Sequence, residues 1–319
     1  MPAADLVTLS AVELRRLIGG KQISPVELLD ACIAQIEAVN PAVNAICATD
    51  FDRARDQAKR DEAAVLAGDD LGLLHGLPCG VKDLEATAGL RTTLGSPLHK
   101  DDVPEKDTFM VGQVRAAGAN LFCKTNTPEF GAGSNSRNPV WGATGNPFDP
   151  MKTAGGSSGG SAAALATNMM PIATGSDTGG SLRNPAAWCG VVGYRQTPGM
   201  VPNDKSSFGW SPLSVVGSMG WTVEDMCLLL SSQVGSADAD PLSRAVPAVE
   251  VLNLARVDLG SLRVAFSADQ GFAPVETSYR PVFDRKIDAI RGFFRSCDEA
   301  TPAPGGLDRA FDVIRGLSY

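Results

Sequence analysis

The 319-residue sequence predicts an α/β fold, a sheet with helices on both faces. Three observations carry this. The N-terminal portion shows helical hydrophobic spacing behind capping residues. From Gly76 onward, short apolar stretches alternate with helical ones. The polar, glycine-rich clusters fall at predicted strand ends or helix starts, where an α/β sheet presents its site.

Ser10 with Glu13 makes a capping-box pattern before VELRRLI, and Gly19 suits the C′ stop. Ser24, Pro25 and Glu27 supply an N-cap, a proline at N1 and an acid at N3. The apolar spacing of VELLDACIAQIEAV then runs to Asn40-Pro41, the expected helix end. A third helix is predicted over Asp50 to Leu66, with alternating charges on its exposed face. These elements make a helical segment over 8–67.

The texture then changes. GLPCGVKDL (Gly76 to Leu84) is apolar and glycine-bounded, as a buried strand ending at Lys82-Asp83 would be. KDTFMVGQVRAAGA reads as a helix and NLFCKTN as the next strand. PEFGAGSNSRNPVWGATGNPFDP is a long irregular segment, of the kind that often carries function. SAAALATNMM reads as a helix starting just after GGSSGG. MPIATGSD reads as a strand running into SDTGGSLR (Ser176 to Arg183). Ser236 to Glu250 reads as a surface loop, LRVAFSAD as a strand and RPVFDRKIDAIRGFFRS as a helix. LDRAFDVIRGLSY is an amphipathic helix pattern that stops at Tyr319 without a clear cap, as if cut. The whole is expected to form one domain over 1–319, with an α/β core over 71–270 and C-terminal helices over 277–319.

Hydrophobic residues at 44% and charged residues at 20% fit a globular protein. The net charge of −8, without a basic run, speaks against nucleic acid as a partner. The first residues lack a signal-peptide core, and no apolar run reaches bilayer length, so no membrane is expected. The seven cysteines include no CxxC pair and read as reduced, buried residues of a cytoplasmic protein. No metal site is expected.

Three clusters could hold chemistry. Lys82 in GVKDL reads, taken alone, as an exposed strand-end cation. A role as base needs it buried and uncharged. GGSSGG, with Ser157 and Ser158, reads as a flexible turn or as an anion-binding helix start. It matches neither a phosphate loop nor a dinucleotide fingerprint. In DTGGSLR, Ser181 reads as a helix-capping serine or as a nucleophile beside free N–H groups. With only His75 and His99 in the chain, a histidine partner for it is not evident.

Taken together, GVKD, KTNTPEFGAGSNSRNPVWGATGNPFDP, AGGSSGGSAAALA and GSDTGGSLRNPAAWCGVVGYRQTPG resemble the amidase signature family. The similarity runs from about the first helix to the strand near Arg263. The resemblance implies a mixed, twisted central sheet and a Ser-Ser-Lys triad. Ser181 matches the nucleophile, Ser157 the bridging serine that follows a cis peptide bond, and Lys82 the base. The N–H groups of Thr178, Gly179, Gly180 and Ser181 match the oxyanion hole. Asp177 and Arg183 match family positions flanking the nucleophile and are read as a pair that holds the loop, with substrate contact by Arg183 as the alternative role. Phe130, Gly131, Ala132 and Gly133 fall in the loop that lines the acyl pocket. No organic cofactor or metal is implied. Gln196, Ser218 and Trp221 depart from the family pattern, which has proline, proline and arginine there. Family members also continue well beyond this chain's end, so a fragment or truncated copy is expected.

The implied activity is hydrolysis of a small carboxylic amide to acid and ammonia or amine, with that amide as the small-molecule partner. A glutamine-hydrolysing subunit of a tRNA-dependent amidotransferase is the alternative. Ser206 to Met219 lacks the Ser-Leu-Asp-Gln run expected of it. An inactive remnant or binding protein is the third reading. The oligomeric state stays open, a homodimer among the options.

Overall fold

The computed structural model describes residues 3–205, 208–303 and 305–317; the sequence expectations at Ser206, Ser207 and Tyr319 lie outside them. The contacts divide the chain into two compact units, Met1–Asn253 and Leu254–Tyr319.

The first unit opens with helices α1 (Ala3–Leu6), α2 (Ala11–Gly19) and α3 (Pro25–Val43). Half of the expected capping box forms on α2. Ser10 accepts from the Glu13 N–H, but the Glu13 carboxylate turns to Arg16 instead. The helix includes Gly19 and is capped by Gly20, one residue later than expected. On α3 the complete box is present between Ser24 and Glu27. This helix does not stop at Asn40-Pro41. It continues to Val43 and ends at Asn44, in the left-handed conformation. The Asn40 side chain accepts from the N–H groups of Ala45 and Ile46, fixing the last turn. Pro41 therefore removes one helical hydrogen bond near an end that is held by other means.

Strand β1 (Ile46–Thr49) and helix α4 (Phe51–Ala67, capped by Asp50) follow. Then come β2 (Pro78–Lys82), α5 (Phe109–Ala116), β3 (Asn120–Thr125) and the short pair β4 (Arg137–Asn138) and β5 (Gly142–Ala143). Next are α6 (Gly159–Ala166), β6 (Ile172–Asp177), α7 (Arg183–Cys189) and β7 (Val192–Gly193). The unit closes with β8 (Val215–Gly220), α8 (Val223–Gln233) and α9 (Ala248–Leu252).

Six strands form one mixed sheet in the order β1-β3-β2-β6-β8-β7. The central strands β3, β2 and β6 run parallel, and β1, β8 and β7 are added antiparallel. Helices α4, α6 and α8 pack against it. This is the α/β class read from the sequence. Every residue of β2, β3 and β6 is buried, as parallel strands covered on both faces must be. Leu14, Ile18, Leu28, Leu29, Leu77, Phe122 and Leu165 are among the fully buried side chains of the core. Because β2 and β6 are parallel neighbours, their C-terminal residues, Lys82 and Asp177, emerge at the same edge of the sheet.

In the second unit, β9 (Arg263–Phe266) and β10 (Ser296–Glu299) pair in parallel, joined through α10 (Arg280–Arg291); α11 (Leu307–Gly316) follows. Among the described residues, no helix is long and apolar enough to cross a membrane.

Candidate active site

Lys82 is the last residue of β2 and is fully buried. Its backbone N–H donates to Thr174 Oγ1 on β6 at 3.0 Å, which fixes where its side chain leaves the strand. The amine reaches three hydroxyls: Ser157 Oγ at 2.7 Å, Ser158 Oγ at 2.9 Å and Ser176 Oγ at 2.9 Å. Burial pushes its pKa down to about 7, helped by the nearby charge of Lys205 and opposed by Glu85 and Asp177. Near neutral pH the amine is thus available as a base.

The bonding pattern settles part of the proton arrangement. Ser158 Oγ donates to the Ser176 carbonyl and accepts from the Ser176 N–H, both at 3.3 Å. With its one proton committed, Ser158 meets Lys82 only as an acceptor. A neutral amine has two N–H donors and one lone pair. One donor serves Ser158. If the other serves Ser176, the lone pair faces the Ser157 hydroxyl.

The peptide bond Gly156–Ser157 is cis. Ser157 and Ser158 precede α6, and GGSSGG is no flexible linker here. A Cβ on Gly160 would collide with the Asn126 backbone and lie 2.7 Å from the Ala45 carbonyl oxygen. The glycine lets α6 approach β3 at backbone distance. Ser136 Oγ bonds both the Ser157 carbonyl and the Gly159 N–H, at 3.2 and 2.8 Å, bracing the same turn.

Ser181 lies in the turn between β6 and α7 and is half-buried. Its carbonyl accepts from the Ser158 N–H at 3.3 Å, so the two serine turns are tied backbone to backbone. Asp177 organises this turn. Its buried carboxylate accepts from the Gly180 and Leu182 N–H groups and from Arg183 Nε and Nη2. Burial alone would raise its pKa; Arg183, the Gly180 N–H and Arg195 outweigh that and hold it below the ordinary value.

Gly180 departs from the sequence expectation. Its N–H already belongs to Asp177 Oδ1, at 2.8 Å, and is not offered to a substrate. The amides of Thr178, Gly179 and Ser181 carry no such bond to Asp177 and remain as donors in the turn. In the loop of Phe130, Gly131, Ala132 and Gly133, a Cβ placed on Gly131 would stand 3.8 Å from Ser157 Oγ. Phe130 is partly exposed, with its N–H on the Leu94 carbonyl at 2.8 Å.

Several contributors escaped the sequence reading. Ser176 and Thr174 alternate along β6, both polar within an apolar strand and both turned to Lys82; that period of two was the available signal. Arg195 adds a third cationic bond to Asp177, Nη1 to Oδ1 at 3.1 Å, and no local pattern marks it. Of the departures, Ser218 is accommodated by a polar bond, whereas Gln196 is half satisfied, its Oε1 buried without a partner among the described residues. Gln196 donates to the Val216 carbonyl, and Ser218 Oγ bonds Gln233 Oε1 at 2.7 Å.

The family model described as Amidase matches residues 27–302. The chain belongs to the amidase family. It is 37% identical over 309 residues to an acylamidase of Rhodococcus erythropolis, covering 96% of this chain and 64% of that protein. It is 41% identical over 230 residues to one subunit of the glutamyl-tRNA(Gln) amidotransferase of Acaryochloris marina, covering 71% and 47%. Among solved structures, a bacterial aryl acylamidase of the amidase signature enzymes superposes with a TM-score of 0.87 at 28% identity, covering 95% of this chain and 64% of that one. Fatty acid amide hydrolase, at 23% identity and a TM-score of 0.87, shares the fold. This amidase-family chain thus spans 64% of the acylamidase's length and about half that of the amidotransferase relatives.

Proposed function

We propose that the chain hydrolyses a small carboxylic amide through an acyl-enzyme on Ser181. The observation that carries this reading is the buried Lys82 amine 2.7 Å from Ser157 Oγ, beside the turn that presents Ser181. In the first step the Ser181 proton passes to Ser157 while the Ser157 proton passes to Lys82. Ser181 Oγ then bonds the carbonyl carbon, and the amides of Thr178, Gly179 and Ser181 receive the oxyanion. On collapse the C–N bond breaks, and the leaving nitrogen takes the proton back from Lys82 through Ser157. That protonation is what an amine leaving group requires. A water molecule, deprotonated by the same route, frees the acid. The buried free thiols fit a reducing, cytoplasmic setting.

The acylamidase relative aligns over nearly the whole chain, which favours a simple amide substrate over glutamine. The amidotransferase reading is kept alive by relatives 35–41% identical over shorter or similar spans. Purified chain is to be assayed for ammonia release from acetamide, benzamide and glutamine, with Ser181→Ala as control. Release from the simple amides that is lost in the variant supports the proposal. Preference for glutamine supports the alternative. Silence on all three substrates, with no labelling of Ser181 by a fluorophosphonate, overturns both.

A further inference from the structure

The turn that follows Lys82 is built around three lysines. The Glu85 N–H donates to the Lys82 carbonyl at 3.0 Å. The Glu85 carbonyl accepts from the buried amine of Lys124. The Glu85 carboxylate, 1% exposed, bonds Lys205, which arrives from 120 residues further along the chain. Lys205 Nζ also reaches the Leu84 carbonyl at 3.1 Å. The segment carrying it is pinned one residue earlier, where Asp204 accepts from the Phe109 N–H at 2.9 Å. Leu84 in turn packs on Gly131, the glycine beside Ser157.

We propose that Lys205 is a positioning residue for Lys82: by bonding the Glu85 carboxylate and the Leu84 carbonyl together, it closes the turn after the base and neutralises the buried carboxylate facing that base. The proposal rests on the reading of Lys82 as the proton acceptor.

The charges around Lys82 are few. Asp177, on β6, has its own partners in Arg183 and Arg195. Asp83 turns to Thr93, and Lys124 to Thr87 and the Glu85 carbonyl. Glu85 has Lys205 as its cationic partner at ion-pair distance. From the turn before α6, the hydroxyls of Ser157 and Ser158 reach the amine. Without Lys205, the buried Glu85 carboxylate would lose its ion-pair partner, keeping only the Thr108 hydroxyl and the charge of Lys124, and would favour the charged, inactive form of Lys82. The electrostatics run the same way: beside the burial that dominates, Lys205 lowers the Lys82 pKa and Glu85 raises it.

The test is a pH titration of the full chain labelled with 13C at lysine Cε, read by NMR. The Lys82→Met spectrum assigns the resonance. Wild type is expected to show a midpoint near the value of about 7 that burial imposes. Lys205→Met should raise the proton affinity of Lys82 by about tenfold or more. Glu85→Gln alone should lower it, and the double variant should return close to wild type. Lys205→Arg, which keeps the charge, should leave the midpoint in place. Should Lys205→Met fail to fold, Glu85→Gln still decides, because its shift has the opposite sign. Unchanged midpoints in the foldable variants, with a depressed wild-type value, overturn the role of Lys205 and leave the base intact. A wild-type Lys82 titrating like a free lysine overturns the base itself.

Discussion

Ser176 Oγ sits 2.9 Å from Lys82 Nζ, although 94 residues separate them in sequence. This contact, together with Ser158, gives both N–H bonds of a neutral amine an acceptor. With both hydroxyls accepting, the lone pair is left for Ser157. Ser176→Ala removes one acceptor and lets the amine rotate away from the relay. Loss of such a bond in a buried site costs about 1–3 kcal/mol. The value of kcat/KM for benzamide is expected to drop by about tenfold to a hundredfold with KM little changed. Parity with wild type would remove Ser176 from the account.

The pH profile follows from Lys82. Only the uncharged amine accepts a proton, and its pKa lies at about 7. The value of kcat/KM should therefore rise with pH through that point and level off above it. Below it, the rate should fall by about tenfold per pH unit. A rate maximum at pH 5 to 6, about where a carboxylate or free imidazole would act, would contradict the lysine as base.

The same lysine sets a stability trend. Its folded pKa, about 7, lies below the 10.5 of a free lysine. As pH falls through this window, the unfolded chain takes up a proton that the folded chain refuses. The fold therefore loses stability, by up to about 1.4 kcal/mol per pH unit. Lys82→Met lacks this linkage. Urea titrations should show the variant gaining on wild type from pH 10 down to pH 7, and no further gain below. A difference independent of pH would mean that Lys82 is charged when folded.

Gly160→Ala tests the close approach of α6 to β3. The added methyl meets the backbone of Asn126 and Ala45, which cannot swing aside as a side chain can. A loss of about 3 kcal/mol or more is expected in chemical denaturation, or failure to fold. Gly292→Ala, which meets nothing within 4 Å, serves as the neutral control. Equal stability of both would show that the helix can retreat from the strand.

Much of the fold was legible because the signals are local. Ser24, Pro25 and Glu27 announce a helix start that the structure keeps in full. The apolar runs around Val81, Phe122 and Ile172 announce central strands. The end of α3 was not legible, because the device that carries it past Pro41 is the Asn40 side chain folding onto residues beyond the helix. Strand β8 was missed as well. Its VVGSMG holds two glycines and a serine, and it is a strand because β6 lies alongside it. At the candidate site, the clusters that come together were visible in the sequence but their state was not. Nothing in GVKDL reveals that Lys82 will be sealed by a turn from positions 157 and 158. Nothing near Gly180 reveals that Asp177 will take its N–H. Lys205 and Arg195 act only through partners far away in sequence, and a single chain read linearly gives them no mark.

The sheet order also bears on when the cluster around Lys82 can assemble. Lys82 waits for serines 75, 76 and 94 positions downstream, and β2 must find β6 across that whole interval before any of them meet. Such distant pairing is slow to close and late to reward. A ribosome must therefore have delivered most of the first unit before the lysine can shed its charge. A protease nick in the exposed 130s loop would sever the cluster's two sources from one another. With Ser181 as the nucleophile proposed above, its covalent labelling would then report assembly of the first unit, and not merely the presence of the chain.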